Sequence, residues 1–169
     1  AGDIVQLTSS ASAGGTTNQV VASTNNTVFS IPDNNATGIS SPITVSNINP
    51  ATLNSNTIVS VRLNITHTYD GDLLVQLISP SQNTINLSNR RGGSGDNFNN
   101  TLFTANAATL ISAGSAPFAG TYRPDGAFSS LTGNVNGTWI LKVIDQAGTD
   151  VGTLNSWTLS LNNVVPTTV

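Results

Sequence analysis

The segment TIVSVRLNITHTY, Thr57–Tyr69, constrains the fold more than any other stretch of the 169 residues. Val59, Val61, Leu63, Ile65 and His67 alternate with Ser60, Arg62, Asn64, Thr66 and Thr68. A period of two sends successive side chains to opposite faces, so this is a strand with one buried face. The only histidine of the chain falls on the apolar side.

The flanking sequence extends the pattern. Asp70-Gly71 is a hairpin-turn signal, and Asp72–Ser79 follows as a second strand. It carries Leu73, Val75 and Leu77 on one face and Leu74 and Ile78 on the other, which predicts burial on both sides. Ser79-Pro80 closes it. IPDNNATGISSPITV, Ile31–Val45, reads as a turn cluster followed by a strand. Shorter candidates are Thr84–Leu87, Asn100–Phe103 and Gly120–Tyr122. Two long strands, Gly137–Asp145 and Gly152–Leu161, each open on Gly-Thr and are expected to form a hairpin. No helix is predicted. Residues 1–30 are Ser/Thr/Asn/Gly-rich, with apolar pieces at Ile4–Leu7, Val20–Ala22 and Val28–Ile31; they read as an arm or linker with possible edge strands. The last residues, VVPTTV, read as a tail. About ten short strands separated by turn signals predict an all-β sandwich.

Composition agrees. The chain holds 22 Asn, 20 Ser and 23 Thr. Thr favours strands, and Asn favours turns. Charge is scarce, at 8% of residues, and no Glu occurs. With five Lys/Arg and a net charge of -3, the chain has no basic patch to neutralise phosphates, so nucleic-acid binding is not expected. The absence of Cys excludes a disulfide scaffold and thiolate metal sites. No apolar run reaches the length needed to span a membrane. Without a Met at position 1, the chain is expected to be processed or excised from a longer, secreted precursor.

A resemblance sharpens this reading. HTYDGDLLVQLISP (His67–Pro80), NLSNRRGGSGDNF (Asn86–Phe98), GTYRPDGAFSSLTG (Gly120–Gly133) and NGTWILKVIDQAGTDVGTLNSWTLSL (Asn136–Leu161) resemble, in order, the P domain, or Homo B domain, of proprotein convertases, above all bacterial versions attached to secreted proteases. The resemblance covers roughly Phe29–Leu161. It implies a jelly-roll β-sandwich of the galactose-binding-domain-like kind, spanning residues 31–162 between an arm (1–30) and a tail (163–169). It also implies a non-catalytic extracellular accessory domain. The implied partner is a serine protease catalytic domain in the same precursor, and the module itself is expected to be monomeric. A carbohydrate- or surface-binding module is the alternative function, since jelly rolls host many activities.

The site candidates follow from residue chemistry. His67, on an apolar face, is expected to be a hydrogen-bonded core residue. No G-x-S-x-G elbow accompanies it, so no enzyme is expected. The aspartates cluster in loops: Asp70/Asp72, Asp96 beside Asn97 and Asn99, and Asp145/Asp150. Asp70 and Asp72 carry a turn-forming reading. Calcium takes six to eight oxygen ligands and suits such loops, so Asp72, Asp96, Asp145 and Asp150 are the candidate calcium ligands. Similar bacterial domains carry an acidic pair after the phenylalanine at position 103, where this chain has Thr104-Ala105. Zinc is not expected from one His and no Cys. Arg90 and Arg91 read as solvated loop charges, with a partner contact as the alternative. Trp139 and Trp157 are expected in the core. The Asn-x-Ser/Thr triplets arise from composition alone.

Overall fold

In a computed structural model of the chain, the described residues are 5–9 and 16–166, with side chains over 20–162. They form twelve strands: β1 (Val5–Ser9), β2 (Thr16–Asn25), β3 (Phe29–Ile31), β4 (Ile39–Val45), β5 (Ile58–His67), β6 (Leu73–Ile78), β7 (Thr84–Asn89), β8 (Phe98–Thr104), β9 (Thr109–Leu110), β10 (Thr121–Arg123), β11 (Gly137–Asp145) and β12 (Gly152–Pro166). The larger sheet runs β1-β2-β12-β5-β8-β10-β9, with β3 also paired to β12; the smaller runs β4-β11-β6-β7. The fold is an all-β sandwich of jelly-roll type.

The inward faces are those set by the alternation. Val59, Val61, Leu63 and Ile65 of β5 and Leu154, Trp157, Leu159 and Leu161 of β12 are buried, as are Leu73, Val75 and Leu77 of β6 and Trp139, Leu141 and Val143 of β11. Full burial of one such side chain is worth about 1.5–3 kcal/mol. Both tryptophans lie in this core with their indole N–H groups satisfied. Trp139 donates to the Val135 carbonyl at 3.0 Å, and Trp157 to Ser41 Oγ at 2.9 Å. The second bond ties the two sheets together. Leu74 and Ile78, on the other face of β6, are half-buried. Pro42 interrupts β4, which is tolerated because β4 is an edge strand and needs no donor on its free side.

Two expected hairpins are absent. β5 and β6 lie in different sheets, and so do β11 and β12. Asp70–Asp72 is a single turn of 3-10 helix that carries the chain across the sandwich. The Asp70 and Gly71 amides donate to the carbonyls of Gly95 and Gly93, each at 2.9 Å, instead of closing a two-strand turn. β11 and β12 each present a row of large apolar residues inward, and these rows face one another across the core. Two further 3-10 turns occur, at Ile111–Ala113 and Phe128–Ser130. β10 pairs with β8 and β9 in parallel, which local alternation does not announce.

At the N-terminal side, β2 hydrogen-bonds along β12 from Asn25↔Trp157 to Thr16↔Pro166. Val21 enters the core at 2% exposure. The strand β12 therefore continues into the stretch read as a tail. Ile4 and residues 167–169 lie outside the described residues.

Candidate functional site

Polar chemistry gathers where β5, β11 and the crossover turn meet. His67 ends β5, and Asp145 ends β11. Each continues the inward-facing row of its strand, so the last side chain of each row meets the other across the sandwich. His67 Nε2 lies 3.3 Å from Asp145 Oδ2, and neither side chain is accessible to solvent. The Tyr69 amide donates to His67 Nδ1 at 3.2 Å, which leaves the Nε2 proton to donate to Asp145. Nδ1 is also 3.0 Å from the Tyr69 carbonyl, a second partner for a fully protonated ring. Asp145 Oδ1 accepts the Ala147 amide at 3.1 Å. Gly152 packs against His67: a Cβ there would run into the Thr66 carbonyl and lie 2.5 Å from His67 Cδ2. His67 is thus the hydrogen-bonded core residue expected from its strand face. A general base must reach the proton it removes, and this imidazole is covered.

The other aspartates divide into two groups. Asp72, only 6% exposed, faces Asp145, Asp150, Arg90 and His67. Burial raises its carboxyl above the usual range, the charges of Asp145 and Asp150 add to this, and Arg90 and His67 oppose it. Asp150 accepts hydroxyl hydrogen bonds from Thr68 at 2.8 Å and Thr149 at 3.3 Å. Asp96 is exposed and lies apart from these three, in the loop between β7 and β8. The four candidate ligands are therefore not brought together. Among the described residues no group of three or more His or acidic side chains is placed to hold a metal ion.

Asp70 stands out instead. It is completely buried. Oδ1 accepts the Asn97 amide at 3.0 Å, while Oδ2 has no hydrogen-bond partner. Burial pushes its pKa up to about 7; the Asn97 amide opposes the shift, and the nearby charge of Asp96 adds to it.

Both arginines remain solvent-exposed loop charges, as expected, and each also contacts its own chain. Arg90 Nε donates to the Gly71 carbonyl at 3.1 Å, with Nη2 3.8 Å from Asp72. Arg91 grips Asp125 through Nε and Nη2, at 2.9–3.1 Å. Its side chain keeps 40% of its exposure, so the pair is a surface one. Arg91→Ala is expected to cost about 1 kcal/mol or less. Urea unfolding measures this; a loss above about 2 kcal/mol would show that the Asn89–Asp125 bond depends on Arg91.

A depression of about 450 Å³ lies elsewhere, lined by Leu53, Ile58, Val59, Phe128 and Leu131 among others, and no charged side chain borders it. Fold and site together define an all-β module whose titratable groups hold its own turns and loops in place.

The chain belongs to the proprotein convertase P-domain family, whose sequence model matches residues 57–161. It is 38% identical over 130 residues to leupeptin-inactivating enzyme 1 of Streptomyces exfoliatus, covering 77% of this chain and 24% of that protein. It is 31% identical over 136 residues to the transglutaminase-activating metalloprotease of Streptomyces mobaraensis, covering 80% and 14%. It is also 31% identical over 123 residues to a calcium-dependent protease of Trichormus variabilis, covering 69% and 16%. The chain thus spans a quarter or less of the length of these relatives. Among solved structures it is similar to the Aeromonas sobria serine protease in complex with its chaperone, at a TM-score of 0.50 and 17% identity, covering 98% of this chain and 27% of that one. That likeness concerns the fold alone.

Proposed function

We propose that this chain is the non-catalytic accessory domain of a secreted bacterial protease, packed against the catalytic domain of the same precursor and stabilising it. One observation carries the reading: a member of the P-domain family matches only a fraction of relatives that are named as proteases. Its own histidine is sealed into a structural pair, which agrees with a supporting role. The unit is taken as residues 31–162, extended by β1, β2, the start of β3 and the end of β12, which belong to its larger sheet. Among the described residues no helix is long and apolar enough to cross a membrane.

The carbohydrate-binding alternative requires a platform of exposed aromatics. The nine aromatic side chains go elsewhere. Six are buried, Phe29 and Tyr122 pack against the core, and only Tyr69 is exposed, at 37%. Calcium enters because relatives are named calcium-dependent proteases, and because an orphaned buried carboxylate oxygen fits an oxygen-seeking cation.

An interdomain contact of this kind buries about 600–1,500 Å². Deleting the unit from its precursor is expected to reduce folded, active protease several-fold and to shorten its half-life on heating. A truncated precursor with the yield and half-life of the intact one would refute the accessory role.

A further inference from the structure

We infer that the outer face of the smaller sheet is the surface on which this domain docks the catalytic domain of its precursor, and that the docked partner sets a carboxylate against Lys142 among apolar side chains. The inference rests on the accessory-domain reading above and names the face which that reading leaves open.

The first observation is the pattern of the face. Strand pairing brings Pro42, Ile140 and Ile78 into one cross-strand row, and Ile144 and Leu74 into a second, four residues along β11. Ile144 is buried, Leu74, Ile78 and Ile140 are half-buried, and Pro42 is exposed. Leu74 and Ile78 are the residues whose spacing predicts burial on both sides of β6, and within this domain their burial is incomplete. The larger sheet differs. Where β5 and β12 pair, its outer face shows Ser60, Arg62 and Asn64 against Ser160, Thr158 and Ser156. Apolar rows on one sheet alone, rimmed by polar residues, mark an interaction surface.

The second observation is charge. Between the two rows lies Lys142, the only lysine of the chain, level with Ser40 on one side and Gln76 on the other. It is half-buried, and a lysine stem covers apolar surface while its charge stays at the tip. Among the described residues its ammonium has no hydrogen bond or ion pair. Arg90 and Arg91 face Asp72 and Asp125, and Arg62 and Arg123 each donate to a backbone carbonyl. Gln76 donates to Asn86 at 2.9 Å, away from Lys142. An unpaired cation between apolar rows fits a surface that carries a carboxylate among apolar groups, and such complementarity fixes register and rejects wrong partners. A second copy does not fit. A two-fold contact presents the same patch from both sides, so lysine would meet lysine, and the four strands place no acidic side chain on this face.

The single lysine makes the test specific. The intact precursor is treated with a carbodiimide, which joins an amine to a carboxylate in contact with it, and its digest is read by mass spectrometry. The peptide holding Lys142 is expected to be joined to an aspartate or glutamate of the catalytic domain. Lys142→Glu in the precursor is expected to shorten the half-life on heating several-fold, toward that of the deletion. The same substitution in the 169-residue chain is expected to move its melting by about 2 °C or less, as for other surface changes. If it unfolds that chain, the cross-link alone decides. Coupling of Lys142 only within its own domain, only to a second copy or a separate protein, or not at all, overturns the docking face. So does an unaltered half-life in the Lys142→Glu precursor. The accessory role survives those outcomes wherever the deletion still shortens the half-life; where it does not, both fall.

Discussion

Replacing His67 by alanine is expected to lower stability by about 3–5 kcal/mol, because it leaves the Asp145 carboxylate buried with a partner removed. Both side chains are inaccessible, and their 3.3 Å contact joins the last residue of β5 to the last residue of β11. The loss should appear as a fall in melting temperature of roughly 10 °C for a domain of this size. Asp145→Ala should cost a comparable amount, since the Ala147 amide also loses its acceptor. The double replacement should cost clearly less than the sum, as contacting residues are not additive. A loss under about 1 kcal/mol in the His67 variant would sink the claim that the pair fastens the two sheets. Additive single losses would show that the two side chains act independently.

The strands and their inward faces were legible because alternation is local. Val59 to Ile65 and Trp139 to Val143 point inward as their spacing requires. Sheet membership was not legible, because it depends on contacts far apart in sequence. Asp70-Gly71 carries a hairpin signal, yet its amides are taken by the carbonyls of Gly95 and Gly93, more than twenty residues on. The paired Gly-Thr openings of β11 and β12 look like a hairpin but lead into opposite sheets. The His67–Asp145 pair did leave a signal: each residue continues the phase of an apolar row and ends it with a polar group. Clustering of aspartates located the Asp72–Asp145–Asp150 neighbourhood. It could not show which oxygens were already bonded. Asp70 was read as a turn former because the loop that buries it lies on the far side of β7.

In the presence of chelator, the chain is expected to be more stable near pH 4–5 than near pH 8, by roughly 2–3 kcal/mol. The folded protein holds the Asp70 proton up to a pKa of about 7, against an ordinary value of 3.8. A carboxyl that binds its proton more tightly when folded stabilises the fold fully below the unfolded value. That contribution declines as pH rises and is gone above the folded value. The window is therefore roughly pH 4–7. Burial is the main cause, the charge of Asp96 adds to it, and the hydrogen bond from the Asn97 amide works against it. Asp72 shifts in the same direction, so it steepens the slope rather than cancelling it. This reverses the usual acid lability of proteins whose carboxylates are paired when folded. Urea unfolding at a series of pH values measures the slope, and Asp70→Asn removes most of it because the amide carries no charge to desolvate. Stability that is flat or rising from pH 4 to 7, or an Asp70→Asn chain with the same slope as the unaltered one, would rule out Asp70 as its source.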